Sequence, residues 1–439
     1  MIDIAIGGGY GTAQMSSSRR VPQRAALLAI GDEVLRGEIS NTNDAFVAER
    51  LFELGYDVAE QVVVSDDPQS IRTALVRLRA ETDLIVATGG LGPTEDDRTV
   101  DAVAELLATG THADEPSLEA MKKRFATHGF EMTPNNLRQV RIPNGTKALP
   151  NTAGIAPGFV VKLGGADAFF LPGVPREMEK MFTDEVMPRL AHRLTESGGP
   201  RPVTRTWHLY GMGESHIDHR LAGILTGVEG ATLHFRTSNP VNHVKLVVRR
   251  EDEAAARETL EKVEAELRKR IGPGIYGIDG DTFPSAVAKS LKAQEATLGI
   301  AESCTGGMAG ELITSESGAS NFFRGSVVAY ADEVKISVLG VKPETIADFG
   351  AVSEPTAREM AEGAKRVCGS TVAVAITGIA GPQGGAPDKP VGTVCFAVCG
   401  PGTTRASTKL FAGGRERVRV AAAYYALDLA RRYFDTRKR

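Results

Sequence analysis

The chain has 439 residues, 42% of them apolar and 24% charged, a composition ordinary for globular proteins, and it is too long for one core, so about two to four domains are expected. A net charge of −4 gives no overall bias toward nucleic acid, and no stretch approaches the roughly 20 apolar residues that span a bilayer. Four cysteines, all in the last third and without zinc-ligand pairing, fit a reducing compartment rather than a disulfide framework, so a cytoplasmic location is expected.

Residues 1–23 lack the order of a signal peptide, because the arginines follow the short apolar run, and they are expected to form a flexible tail. From Arg24, "RAALLAI" predicts a strand, and "NTNDAFVAERLFELG" a helix opened by capping residues and stopped at Gly55. "YDVAEQVVVSDD" is a second strand, "PQSIRTALVRLRAET" a proline-opened helix, "DLIVATGGLGP" a buried strand running into a glycine loop, and "DDRTVDAVAELLA" a helix. This rhythm predicts a parallel sheet covered by helices, with ligands collecting at the carboxyl ends of its strands. Near Gly198 the linker-like "SGGPRPVT" introduces a small α+β module, and βα alternation resumes from about Thr282.

Two stretches carry chemical signals. In "TGGLGPTEDD" (88–97), Gly89, Gly90 and Gly92 let backbone amides approach an anion at a helix N-terminus. Asp96 and Asp97 either complement that helix dipole or hold a hard divalent cation such as Mg²⁺ or Mn²⁺. In "TLGIAESCTGGMAG" (297–310), Ser303 and Cys304 lie on a turn between a strand and a helix. Ser303 is either an N-cap or a nucleophile, and the Thr305, Gly306 and Gly307 amides could cradle an oxyanion. All eight histidines lie upstream, so the base is sought in "FRGSVVAYADEVKISVLG" (323–340). That segment reads as a strand ending at Tyr330, Asp332 as N-cap, and Lys335 in the first helical turn. A lysine buried at a positive helix end gives up its proton more readily than a solvated one, which makes Lys335 a candidate base.

"GDEVLRGEISNTN", "TGGLGPTEDD", "PNNLRQ", "NTAGIAPGF" and "LPGVPREM" resemble, in order and spacing, the N-terminal domain of the CinA family, which is related to the molybdopterin-binding MoaB and MogA domains. The resemblance implies a nucleotide-like ligand and hydrolysis of ADP-ribose dependent on a divalent metal (Mg, Mn or Co). It places Glu33, Asn41, Asn43, Gly90, Asn136, Gly173 and Pro175 in the nucleotide site and Asp96 and Asp97 at the metal. Where family members carry Gly-Thr-Glu, this chain has Gly31-Asp32-Glu33, an added carboxylate that bears on metal binding.

"AESCTGG", "FRGSVVAYADEVK", "GAVSEPTAREMAEGA", "AITGIAGPQGG", "KPVGTV" and "FAGGRERVR" resemble the family's C-terminal, PncC-type domain over nearly all of 282–439. Such domains are nicotinamide-mononucleotide amidohydrolases that need no cofactor. The resemblance implies Ser303 as nucleophile with Tyr330 and Lys335 activating it, leaving Cys304 as a packing residue. Thr377 and Gly378 fall at a further family position, and Arg417 or Arg415 is a candidate for the substrate phosphate.

The expected organisation is a tail over 1–23, a MoaB/MogA-like parallel-sheet α/β domain over 24–198, a KH-like α+β connecting module over 199–280, and a PncC-type α/β domain over 281–439. The two histidines of "HIDH" (216–219) are expected on the surface. The module's "KLVVRRED" run is charge-balanced and we read no Gly-x-x-Gly loop in it, so RNA binding is disfavoured. Expected partners are the nucleotides nicotinamide mononucleotide and ADP-ribose and, from the resemblance, a second copy of the chain; no membrane partner is expected. The rival functions are a non-catalytic molybdopterin-type binding module and a DNA-uptake or damage-response partner protein.

Overall fold

A computed structural model of the chain describes residues 23–129, 131–197, 202–250 and 252–434. The expected tail, Gln23 apart, lies outside these, as do residues 198–201 of the linker-like segment. The chain forms two compact units: the residues up to Val203 with Arg249–Arg257, and Thr204–Val248 with the residues from Glu258 onward.

The first unit is built on strands β1 (Arg24–Ile30), β2 (Asp57–Val64), β3 (Leu84–Thr88), β6 (Lys147–Leu149), β7 (Gly158–Leu163) and β8 (Ala166–Leu171), in the order β2-β1-β3-β8-β7-β6. A separate pair, β4 (Thr111–Ala113) with β5 (Arg141–Pro143), is antiparallel. After the exposed Arg24, strand β1 is apolar because both its faces are covered. Ala26, Leu28 and Ile30 pack with Ile71, Leu75 and Leu78 of the helix Pro68–Glu81. Ala25 and Leu27 pack with Val47 and Leu51 of the helix Thr42–Leu54. Full burial of each leucine contributes about 1.5–3 kcal/mol.

Strands β1, β2, β3 and β8 are parallel as expected, but β7 pairs antiparallel with β8, and β6 antiparallel with β7. The reason is the connection. Leu163 pairs with Ala166 across a two-residue turn, Gly164-Gly165, in which Gly164 takes φ +62°, and so short a link permits only a hairpin.

In the second unit, β9 (Val203–Tyr210), β10 (Ala231–Ser238), β11 (Val241–Val248) and β12 (Ile275–Ile278) form the connecting module's sheet, in the order β10-β11-β9-β12. The exposed helix residues His216 and His219 belong to this module. It does contain a Gly-x-x-Gly spacing, Gly227-Val228-Glu229-Gly230, which corrects the sequence reading. The tetrapeptide carries an acidic residue and feeds strand β10. The C-terminal sheet joins β13 (Leu298–Glu302), β14 (Phe323–Val328), β15 (Val372–Gly378), β16 (Thr393–Gly400) and β17 (Thr403–Leu410) in the order β14-β13-β15-β16-β17. The first three are parallel, β16 pairs antiparallel with β15, and β17 antiparallel with β16. Module and C-terminal sheet share one core, in which Tyr210 and Val241 lie with Phe283.

Candidate functional site

Strand β13 lies between β14 and β15, and Glu302 is in register with Val328 on one side and Ile376 on the other. The residues that follow all three strands therefore emerge at one end of the sheet: Ser303, the segment Ala329–Lys335, and Thr377 at the end of β15. The Ser303 amide donates to Ile376 O (2.9 Å) and the Ala329 amide to Glu302 O (2.8 Å), which ties the three ends together. Ser303 is 9% exposed.

The glycine turn after Ser303 is organised by a group that sequence reasoning missed. Glu302, completely buried, points its carboxylate into the start of the helix Met308–Thr314. It accepts hydrogen bonds from the amides of Gly307 (3.0 Å), Ala309 (3.0 Å) and Gly310 (2.9 Å) and from Ser326 Oγ (2.8 Å). Gly306 and Gly307 take φ +62° and +97°, which explains why glycine stands at both.

The Gly306 amide donates to Ser303 O (3.1 Å). The expected oxyanion cradle is thus corrected: the Gly306 and Gly307 amides are already engaged. Among the described residues, neither the Cys304 nor the Thr305 amide donates to a backbone carbonyl, and buried Thr305 Oγ1 has no partner. Cys304 packs in the core, and burial pushes its thiol up to about 11.

Lys335 is 2% exposed, so it is no surface lysine. Its Nζ donates to Tyr330 O (3.0 Å) and to Asp332 Oδ1 (3.1 Å). The helix begins at Asp332 with Ala331 as its cap residue, so Asp332 partners the lysine rather than capping. Tyr330 lies two residues beyond the end of β14 and is 60% exposed. Its hydroxyl accepts from Arg415 Nη2 (3.2 Å). Among the described contacts, neither Lys335 Nζ nor the Tyr330 hydroxyl is hydrogen-bonded to Ser303 Oγ.

Thr377 is buried with its hydroxyl on Ala351 O (2.7 Å), and a Cβ at Gly378 would lie 2.7 Å from a Val394 methyl. Both residues shape the strand end rather than offer free polar groups. Arg415 also donates to Gly381 O (2.9 Å), and Arg419, one helical turn on, donates to Thr305 O (2.9 Å). The i, i+4 spacing of these arginines in "RERVR" was the available signal for Arg419. Arg417 is exposed and has no hydrogen-bond or ion-pair partner among the described residues.

In the first unit, the glycine loops at the carboxyl ends of β1, β3 and β8 line a cleft of about 510 Å³. Glu33, Gly90, Asp96, Asp97, Gly173 and Pro175 face it, while Asn41 and Asn43 line a smaller adjoining cavity of about 100 Å³. Asn41 Oδ1 caps the helix Thr42–Leu54 by accepting from the Asp44 amide (3.1 Å), and Asn43 Nδ2 donates to Gly173 O (2.8 Å). Asn43 thereby joins two of the loops. Asn136 does not line the cleft: its Oδ1 accepts from the Thr133 amide (2.8 Å), capping a short turn, and Gln139 faces the cleft instead.

Asp97 Oδ2 accepts from the Thr94 amide (2.8 Å) and hydroxyl (2.5 Å) and closes the glycine turn, while Asp97 still faces the cleft. The added member of the acidic set is Asp66. Burial raises its carboxyl above the usual range, and the nearby Glu33, Asp32 and Asp96 raise it further. Among the described residues, no three His, Cys, Asp or Glu side chains stand close enough to hold a metal unaided. Glu33, Asp66 and Asp96 could share one with water and the ligand's own oxygens, the habit of Mg²⁺.

The architecture defines a composite α/β protein, with a glycine-loop cleft in one unit and a buried serine turn in the other. Residues 26–192 match the family model "Probable molybdopterin binding domain", 204–277 the "Damage-inducible protein CinA KH domain" and 280–434 the "CinA C-terminal domain". A CinA-like protein of Anaeromyxobacter sp. (strain Fw109-5) is 42% identical over 415 residues, covering 94% of this chain and 99% of that protein. One from Anaeromyxobacter dehalogenans (strain 2CP-C) is 42% identical over 411 residues, covering 92% and 98%. A crystal structure of a CinA protein from Thermoplasma acidophilum is 36% identical, covering 39% of this chain and 98% of that one, with a TM-score of 0.36. The chain belongs to the CinA-like family.

Proposed function

We propose that the chain hydrolyses the carboxamide of nicotinamide mononucleotide, with Ser303 as nucleophile. The observation that carries this reading is that Ser303, Thr377 and the segment Ala329–Lys335 emerge at one end of three adjacent parallel strands. Lys335 takes the Ser303 hydroxyl proton while Oγ adds to the carboxamide carbon. The Cys304 and Thr305 amides hold the oxyanion, a role worth about 10²–10³ in turnover per donor. The tetrahedral adduct collapses, the C–N bond breaks, and the proton from Lys335 or the Tyr330 hydroxyl leaves with the nitrogen as ammonia. Water then adds to the Ser303 ester and releases nicotinate mononucleotide, returning the proton to the serine. No step draws on a metal.

A second reading concerns the first unit, where the glycine-loop cleft and the acidic set Glu33, Asp66 and Asp96 favour a diphosphate such as ADP-ribose. A divalent cation there would offset phosphate charge and acidify the attacking water. Glu33, Asp66 and Asp96 would hold that ion, and the loop amides of Gly90–Gly92 would orient the diphosphate.

The test is ammonia release from nicotinamide mononucleotide, with and without chelator, by the wild-type protein, Ser303→Ala and Cys304→Ala. Chelator-insensitive release that Ser303→Ala abolishes and Cys304→Ala retains is the expected outcome. Full activity in Ser303→Ala refutes the mechanism, and no release by folded wild-type protein favours the binding-module readings.

A further inference from the structure

In the first unit, strand order decides what stands at each end of the glycine-loop cleft. Asp66 follows β2, Glu33 follows β1, the glycine loop follows β3 and Glu177 follows β8, and all of them line it. Neighbouring strands lie about 4.8 Å apart, so in the order β2-β1-β3-β8 the last is about 10 Å from β1 and about 14 Å from β2. Glu33, Asp32 and Asp96 are the acidic surroundings of Asp66. Glu177 faces the cleft from the other side of the glycine loop.

A loop is built around that carboxylate. Asn151 Nδ2 donates to Glu177 Oε2 (2.7 Å) and to Ala156 O (2.9 Å), while Asn151 Oδ1 accepts from the amides of Ala153 (3.1 Å) and Gly154 (2.6 Å). Both donors and both acceptor positions of the asparagine are thus used. Arg124, on the helix Glu115–His128, donates to Gly154 O (2.7 Å) and Ala153 O (3.1 Å) and clamps the loop from outside. A Cβ at Gly154 would fall on the Glu177 carboxylate, so glycine is what lets the loop close on it. Ile155 and Ala156 of the same loop line the cleft beside Glu177. Asn151 is the Glu177 side chain's partner among the described contacts, and it leaves Oε1 open. A carboxylate is an acceptor only; it repels phosphate and takes hydroxyl donors. An acidic side chain on a ribose hydroxyl beside a glycine loop on the diphosphate is the division of labour of dinucleotide sites.

We propose that Glu177 accepts the vicinal hydroxyls of a ribose joined to the diphosphate and so selects ribonucleotides at this cleft. The inference rests on the diphosphate reading of the first unit and names the part of the ligand read at the β8 end. Asn151 and Arg124 act through Glu177, as positioning residues. ADP-ribose carries two riboses, and either supplies this chemistry.

The experiment measures binding to the full chain by calorimetry with Mg²⁺ present, for the wild type, Glu177→Gln and Glu177→Ala, with circular dichroism to check folding. The probes are ADP, 2′,3′-dideoxy-ADP and a methylene-bridged ADP-ribose that cannot be cleaved. The wild type is expected to prefer ADP over its dideoxy form, or the ADP-ribose analogue over ADP. Both variants are expected to cut one of these preferences roughly tenfold, the value of one hydrogen bond to a charged acceptor, and to spare the probe that lacks the diol. A change in the first preference assigns the adenosine ribose, and a change in the second the terminal ribose. Preferences that neither variant alters overturn the inference and leave the diphosphate reading intact. Equal weakening of all three probes also overturns it, since Glu177 would then act on the diphosphate. No binding of any probe by the folded wild-type protein refutes the diphosphate reading itself.

Discussion

The Glu302 carboxylate spends each of its oxygens on two donors: Oε2 on the Gly307 and Ala309 amides, Oε1 on the Gly310 amide and Ser326 Oγ. Glu302→Gln keeps the shape but turns one oxygen into an NH₂ that faces two donors. A hydrogen bond to a charged acceptor contributes about 1.5–3 kcal/mol, so losing two costs about 3–6 kcal/mol, and local relaxation favours the lower end. In a unit of this size each kcal/mol moves Tm by about 2–4 °C, so a fall of about 6–12 °C is expected. The chain's single tryptophan, Trp207, is fully buried in the second unit, so its fluorescence reports the unfolding of that unit. Thermal melts of wild type and Glu302→Gln at one pH and protein concentration make the measurement. A fall smaller than about 3 °C would mean that the carboxylate does not organise the serine turn, and the account of that turn given above would be wrong. Glu302→Ala leaves all four donors without an acceptor and is expected to prevent the second unit from folding.

Gly89→Ala should be costly in the first unit. Gly89 has φ +106° and a Cβ there would lie 2.0 Å from the Ile30 carbonyl oxygen, so a loss of upward of about 2 kcal/mol is expected, read as a lowered calorimetric transition of that unit. Burial raises the Asp44 carboxyl, and one of its oxygens is buried without a partner among the described residues. The folded state therefore binds that proton more tightly than the unfolded chain, so stability falls as pH rises from the unfolded-state value and the loss is complete above the raised pKa. Asp44→Asn should accordingly raise the first unit's Tm at pH 7 by a few degrees, with the difference vanishing toward pH 4; a lower Tm at pH 7 contradicts this. Millimolar Mg²⁺ should raise the same transition and Asp66→Asn should remove most of that shift, whereas equal shifts in both proteins place the cation elsewhere. At pH 8 iodoacetamide should leave Cys304 unmodified, since its thiol is pushed up to about 11, and peptide mass spectrometry showing rapid labelling there would contradict its burial.

The elements were legible where one residue pattern had one physical solution. "RAALLAI" is apolar at every position after Arg24, so it could only be covered on both faces, and Asn41 before "DAFVAERLFEL" caps the helix as its residue type suggested. Strand direction was less legible, because polarity depends on the connection. Yet "KLGGADAFF" already held the two-glycine hairpin that turns β7 against β8. Helix-end assignments slipped by one residue, as at Asp332, whose carboxylate accepts from the buried Lys335 Nζ while Ala331 takes the cap position.

The serine turn marks the boundary of what one dimension can reveal. That glycine stands at 306 and 307 was visible, and so was the presence of exposed amides in such a turn. Which amides stay free depends on where Glu302 points, and that depends on β14 bringing Ser326 alongside it. A carboxylate closing an apolar strand is a conflict between local pattern and charge, and its resolution requires donors from elsewhere in the fold. Glu302 in "GIAES" was therefore the residue to question, because a buried charge at a strand end has to be satisfied by whatever the chain folds next to it. Here that is the start of the following helix. The same four bonds that satisfy the charge fix the backbone carrying Ser303, so the serine's position is a consequence of how the glutamate is solvated.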